Sequence, residues 1–148
     1  MRAIKFRAWD KRLSKMLDAL GLYFRRDGSL MDVGLRDDSG TVVDVKGVEI
    51  MQFTGLLDKN GKEIYEGDIV RIFHRKWYLN APTEWKVFKL KSGKEQLGAV
   101  YFDENDYRYR AKCLENFSPV FDNCGEHGTR HFEVIGNIYE NPELLKST

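Results

Sequence analysis

The sequence predicts a mainly β protein of antiparallel strands and hairpins that ends in a short helical turn. Two observations carry this. From Ile4 to Trp9, the apolar Ile4, Phe6 and Ala8 alternate with Lys5 and Arg7, the period of two that puts one set on each face of a strand. Beyond it, clusters of Asp, Ser, Asn and Gly interrupt short apolar runs every few residues. Such clusters favour turns through local side-chain hydrogen bonds and access to positive φ, and turns this frequent predict meandering antiparallel pairs.

The elements follow in order. A strand over 4–9 gives way to a turn from Asp10 to Arg12. Apolar runs at Gly21 to Phe24, Leu30 to Leu35 and Thr41 to Val45 are separated by turn clusters at 26–29 and 37–40. The clearest hairpin runs from Glu49 to Ile72. There Ile50 to Leu56 and Glu63 to Tyr65 flank Asp58-Lys59-Asn60-Gly61, and Asn-Gly tolerates the pair of positive φ angles that a tight turn requires. Glu66-Gly67-Asp68 then reverses the chain into Ile69 to Phe73. Further strands are predicted at Trp85 to Leu90, Gly98 to Phe102, Tyr107 to Leu114 and His131 to Tyr139. In the third of these, Tyr107 and Tyr109 share one face and Arg108 and Arg110 the other. At the end, Asn141 is placed to cap a helical turn, Pro142 suits its first position, and Glu143 suits the positive end of its dipole.

The composition bounds the class. With 148 residues, 42% hydrophobic and 13% aromatic, the chain is too apolar to be disordered. It is long enough to bury a core without disulfides or metal. No run approaches the roughly 18 consecutive apolar residues of a membrane-spanning helix, and the first residues have no signal-peptide apolar core. The expected location is the cytoplasm. Charge nearly cancels, with 24 Lys or Arg against 23 Asp or Glu and a net of +1. By blocks it alternates: +6 over 1–26, −6 over 27–70, +5 over 71–100 and −4 over 101–148. Such blocks pair within one fold or present separate basic and acidic faces.

Three segments together resemble one family. Ile4-Lys5-Phe6-Arg7-Ala8-Trp9-Asp10, the run from Met51-Gln52-Phe53-Thr54-Gly55 through Glu66-Gly67-Asp68-Ile69-Val70, and Val134-Ile135-Gly136-Asn137-Ile138-Tyr139-Glu140-Asn141-Pro142-Glu143-Leu144-Leu145 are similar to the YopX family of phage and prophage proteins. The resemblance implies an all-β fold with an SH3-like barrel and a phage or prophage origin. It implies one YopX-like domain over 1–148, with a β segment 1–48 packed on a barrel 49–148. It brings no activity and no catalytic or binding residue to transfer. Read physically, Gly55, Gly61, Gly67 and Gly136 mark turns or bends, and Met51, Phe53, Ile64, Ile69, Val70, Ile135 and Ile138 are core positions. A signature of that kind specifies a fold rather than a reaction.

Several constellations bear on chemistry. Cys113, Cys124, His127 and His131 offer four sulfur or nitrogen ligands of the type zinc takes. Yet the two cysteines lack the two-to-four-residue spacing of short zinc motifs, so core and surface roles are the expectation and no metal or other cofactor is assigned. A Cys-His nucleophile pair drawn from the same residues lacks oxyanion donors and an orienting third group. Asp44-Val45-Lys46 and Glu84-Trp85-Lys86 fit the carboxylate-x-Lys element of metal-dependent nucleases, but about two such triplets arise by chance in this composition. Glu63, Glu66 and Asp68 form an acidic group near a turn, of the kind that binds Mg²⁺ through two carboxylates and waters. No phosphate loop, Gly-x-Ser-x-Gly or His-Glu-x-x-His occurs, and no catalytic residue is assigned.

The most suggestive stretch is 71–94. Arg71, Arg75, Lys76, Lys86, Lys89, Lys91 and Lys94 face one acid, Glu84, and are interleaved with Phe73, Trp77, Tyr78, Trp85 and Phe88. Basic groups neutralise phosphates while exposed rings stack on bases. The competing reading makes these aromatics core and these lysines ordinary surface. Two functions are therefore expected from the sequence. The first is a small non-enzymatic module that binds an unidentified host or phage protein through its barrel rim or an exposed strand edge. The second is a nucleic-acid-binding accessory protein using Arg71, Arg75, Lys76, Trp77, Tyr78, Trp85, Lys86, Lys89 and Lys91. No membrane partner is expected, and strand edges also allow symmetric self-pairing.

Overall fold

The computed structural model describes residues 3–36, 42–44, 47–78, 81–87, 95–105, 107–113 and 132–146, with the backbone alone for 42–44, 74–78, 81–87 and 113. Among the described residues the regular elements are eleven strands and one 3₁₀ turn, and every strand pair of known register is antiparallel. The fold is mainly β, as the sequence predicts. Among the described residues no helix is long and apolar enough to cross a membrane. The chain forms two compact units, Met1–Phe53 and Thr54–Thr148.

The first unit holds β1 (Phe6–Asp10), β2 (Lys15–Phe24), β3 (Leu30–Arg36), β4 (Val42–Asp44) and the start of β5 (Val48–Leu57), in the spatial order β4-β3-β2-β1-β5. The alternation along β1 sets its burial, with Ala8 at 0% exposure packed among Leu17, Val33 and Leu35. Ala19, Leu22, Val48 and Ile50 extend that cluster. The β1–β2 turn is tied by Asp10, whose buried carboxylate accepts from the backbone N–H of Arg12 (2.8 Å) and Leu13 (3.1 Å). Asp27 ties the next turn in the same way, accepting from the N–H and hydroxyl of Ser29. Those bonds hold its carboxyl below the usual range.

β2 departs from the expected strand. It begins at Lys15 rather than Gly21, because adjacent apolar pairs, Met16-Leu17 and Ala19-Leu20, hide the period of two. Register shifts between Ala19 and Gly21 and between Tyr23 and Phe24 absorb the mismatch. On one face the Tyr23 ring lies over Gly21 and Gly34, where a Cβ on either glycine would stand 3.6 to 3.7 Å from it.

The second unit contains the end of β5 beside β6 (Glu63–Tyr65), and a sheet of β7 (Asp68–Tyr78), β9 (Leu97–Asp103), β10 (Arg108–Cys113) and β11 (Phe132–Asn137) ordered β10-β9-β7-β11, with β8 (Ala81–Val87) paired to β7. Ile64, Val70, Ile72, Val100, Ala111, Phe132 and Val134 make its core. Met51, Phe53, Ile64, Ile69 and Val70 are buried as expected. Ile135 and Ile138 are only half-buried, since a register shift between Val134 and Gly136 interrupts the alternation of β11 and leaves the core to Phe132 and Val134. Tyr107 does not share a strand face with Tyr109. It precedes β10 in the left-handed region (φ 56) and is 80% exposed, while Tyr109 meets Phe102 edge-on at 5.2 Å.

Buried polar side chains pin the turns of this unit. Asp58 accepts from Asn60 N–H (2.8 Å) and Lys62 N–H (2.9 Å) through Oδ1, and from Val134 N–H (3.0 Å) through Oδ2. One carboxylate thus shapes the 58–61 turn and fastens it to β11. Asp68 accepts from Tyr65 N–H (2.8 Å) across the next reversal. Asn137 accepts from the N–H of Tyr139 (3.0 Å) and Glu140 (2.9 Å). The 3₁₀ turn Pro142–Leu145 follows with Pro142 leading it, but the Asn141 side chain does not cap it. Its Oδ1 turns back to accept from Asn137 N–H at 3.3 Å. Gly136 makes room for this: a Cβ there would lie 2.5 Å from that oxygen.

Candidate functional site

The basic aromatic stretch falls on the β7–β8 pair. Arg75 stands opposite Trp85, His74 opposite Lys86, Trp77 opposite Pro82 and Tyr78 opposite Ala81. Lys76 lies on β7 between Arg75 and Trp77. Lys89, Lys91, Lys94 and Phe88 lie outside the described residues, as do the side chains of Arg75, Lys76, Trp77, Tyr78, Trp85 and Lys86.

Arg71 is described in full, and its surroundings are acidic. Its Nε donates to Glu95 (2.6 Å) and its Nη1 to Glu133 (2.8 Å). Glu133 also pairs with Lys59 Nζ at 3.2 Å and accepts from Asn60 Nδ2 at 3.4 Å. Lys59 in turn sits 4.2 Å above the Phe73 ring. Burial pushes the Glu133 carboxyl up, but the bonds from Arg71, Lys59 and Asn60 outweigh it and hold the group below its ordinary value. For Arg71, burial works against the charge and the two glutamates outweigh it, raising its pKa. This network clamps the 58–61 turn, β7 and β11 together. Counting acids along 71–94 could not reveal it, because both glutamates come from outside that window.

The metal candidates do not assemble where they are described. Among the described residues no three His, Cys, Asp or Glu side chains group closely enough to hold an ion. Of the acidic group near the turn, Glu63 accepts from the Tyr65 hydroxyl (2.8 Å), and Asp68 serves the reversal. Cys124, His127 and His131 lie outside the described residues, and Cys113 is seen only as backbone opposite Gly98. Of the carboxylate-x-Lys triplets, Val45 and Lys46 lie outside the described residues, and Glu84-Trp85-Lys86 is β8 backbone.

A feature that the sequence reading did not single out lies in the first unit. The turn end of the β2–β3 hairpin exposes Tyr23, Phe24, Leu30 and Met31, each at 40% or more. Beside it is a cleft of about 520 Å³. Leu30, Met31, Val33, Val48 and Ile50 give it apolar walls, and Arg25, Asp32 and Gly47 complete its lining. That volume is in the range of binding sites. Among the described residues the Arg25 guanidinium bonds neutral acceptors, Ser29 Oγ (3.5 Å) and Leu30 O (3.3 Å). Asp32 accepts from the Val33 N–H at 2.9 Å. One signal was present in the sequence: Tyr23-Phe24 and Leu30-Met31 are adjacent apolar pairs, and in a strand with one buried face a member of each pair must point away from the core.

A family model described as YopX protein matches residues 5–146. The chain belongs to the YopX family. The crystal structure of protein EF1440 from Enterococcus faecalis is similar to it, with a TM-score of 0.58 and 26% identity over 99% of this chain and 100% of that one. No curated protein matches. Within the YopX match, the residues with the clearest structural duties are Asp58, Asp68, Gly136, Asn137 and Asn141, which hold turns.

Proposed function

We propose that this YopX protein is a small non-enzymatic module, encoded by phage or prophage and working in the cytoplasm, that binds a host or phage protein through the hairpin end of its first unit. An SH3-like barrel serves as its scaffold. One observation carries the reading: at the turn end of the β2–β3 hairpin Tyr23, Phe24, Leu30 and Met31 are exposed, and Leu30 and Met31 line a cleft with Val33, Val48 and Ile50. Contiguous exposed apolar surface mostly marks interaction sites, and aromatic residues and methionine are enriched in interface cores. Further support comes from the YopX signature, whose polar residues are engaged in holding turns.

Affinity capture with cross-linking, run in parallel on the natural chain and on a Phe24→Ser/Met31→Ser variant, tests it. A protein captured by the first and lost by the second is the expected result. Identical captures from both would remove the reading.

A second reading, single-strand nucleic-acid binding by β7 and β8, draws on the register that sets Arg75 against Trp85 and His74 against Lys86. Against it, Arg71 is already engaged by two carboxylates. Anisotropy with labelled oligonucleotides at low salt decides it, and binding that weakens steeply with added salt is what this reading requires.

A further inference from the structure

Two hairpins of this chain are closed by the same kind of turn. Between β1 and β2 the paired residues Asp10 and Lys15 enclose four loop residues, Asp10 Oδ1 accepts from the N–H two residues on, and the fourth loop residue, Ser14, lies in the left-handed region (φ 51). Between β9 and β10 the paired Asp103 and Arg108 enclose 104–107, Asp103 Oδ1 accepts from the Asn105 N–H at 3.0 Å, and the fourth residue is Tyr107 (φ 56). The turn therefore imposes a left-handed backbone, which glycine or asparagine adopts with little strain and a bulky side chain does not. Serine is a small departure from that preference and tyrosine a large one. Within the chain no contact offsets it: the Tyr107 side chain is 80% exposed and, among the described residues, makes no hydrogen bond, ion pair or ring contact. Strain kept at an exposed side chain points to function rather than folding.

The charges of this turn differ in their commitments. Asp103 accepts from Asn105 and pairs with Arg110 Nε at 3.0 Å. Arg108, which follows the loop, has an interaction of its own. Glu104, at the other end of the loop from Tyr107, is exposed and has no cation within ion-pair distance among the described residues. The loop sequence, Glu104-Asn105-Asp106-Tyr107, holds no basic residue.

We infer that the β9–β10 turn is a protein-binding surface separate from the hairpin end of the first unit, on which the Tyr107 ring receives a guanidinium from an arginine-bearing partner segment and the Glu104 carboxylate holds a cation beside it. It goes beyond the reading above and does not depend on it. The face of an aromatic ring attracts cations, a planar guanidinium stacks on it where an ammonium does not, and tyrosine and arginine are the commonest interface anchors. Phe102, 39% exposed and edge-on to Tyr109 at 5.2 Å, adds aromatic surface to the same hairpin. The occupant is protein rather than nucleic acid, because a loop with two acids and no basic residue repels phosphate.

The test uses the full chain, ¹⁵N-labelled, at low salt, with three blocked peptides in which glycine alternates with arginine, lysine or glutamate. Saturable shifts centred on the Glu104, Asn105 and Tyr107 amides are expected with the arginine peptide, with binding about twofold to fivefold weaker for lysine and no shift there for glutamate. Tyr107→Gly removes the ring and the strain together, so it should weaken arginine binding about threefold or more while the urea midpoint holds or rises. Glu104→Gln should weaken it about twofold and flatten its dependence on salt. No saturable shift at millimolar peptide, arginine binding that Tyr107→Gly leaves unchanged, or a urea midpoint lowered by Tyr107→Gly would each overturn the inference. The Phe24→Ser/Met31→Ser variant should bind the arginine peptide as the natural chain does, so either reading can fail without the other.

Discussion

In the first unit the buried described residues are mostly carbon: Ala8, Leu17, Val33, Leu35, Met51 and Phe53, with Asp10 the charged exception. In the second unit Thr54, Asp58, Asp68, Gln96 and Asn137 are buried beside the aliphatic cluster. The first unit also carries most of the exposed large apolar residues, including Leu20, Tyr23, Phe24, Leu30 and Met31. The contrast separates two duties. Where buried carboxylates and amides hold each reversal, the side chains are committed to architecture. Where a thinner apolar cluster supports the hairpin, large apolar side chains stay exposed at its end, the surface proposed above to meet a partner. Loss of a polar pin should therefore cost the second unit heavily, whereas changes at the hairpin end should barely touch stability.

The sharpest way to break the contrast is Asp58→Ala, which leaves three backbone N–H groups without their acceptor. A loss of about 3 kcal/mol is expected, read by urea denaturation. Exchange protection should fall first at Lys62 and Val134. Leu35→Ala, at a site with 0% exposure in the first unit, should cost about 2 to 3 kcal/mol, with protection lost across β2 and β3. Gly136→Ala pushes Asn141 from its place and should cost about 1 to 2 kcal/mol. Combining it with Asn141→Ala should recover part of that, since the clashing atoms are gone.

Smaller effects sharpen the picture. Glu133→Gln weakens the clamp on Arg71 and Lys59 and should cost about 1 kcal/mol at neutral pH. Its folded pKa is depressed, so the carboxylate's contribution is fully present above the unfolded value of about 4.3 and is lost as pH falls through the folded value. The stability gap between natural chain and variant should therefore close in acid. A gap that stays constant from neutral pH to pH 3 would mean the charge contributes nothing. Last, Phe24→Ser and Met31→Ser should each move stability by about 0.5 kcal/mol or less, as exposed positions do.

Much of the fold could be read from the chain because its signals are local. Asn60-Gly61 marks the turn after β5, and the alternation of Ile4 to Ala8 marks the first strand. Reading failed where a register shift broke the period. Met16-Leu17 concealed the start of β2, and the shift at Val134 and Gly136 moved Ile135 and Ile138 out of the core. Pairings between distant residues were beyond local inspection, so Arg71 looked like a cation awaiting phosphate, although Glu133, 62 positions away, already held it. The cleft was hidden for the same reason. It depends on β3 and the start of β5 standing near one another, and those strands are not adjacent in the sheet order.

The Tyr23 ring beside Gly21 and Gly34 supplies a reporter that needs no label. Aromatic ring currents displace the resonances of protons held close to a ring, so the α-protons of these two glycines should appear at unusual positions in a proton spectrum. They sit on β2 and β3 themselves, one strand position or a few from the cleft wall. Their lines would record whether the hairpin keeps its register when a ligand occupies the neighbouring space, and would collapse toward ordinary glycine values if it opened.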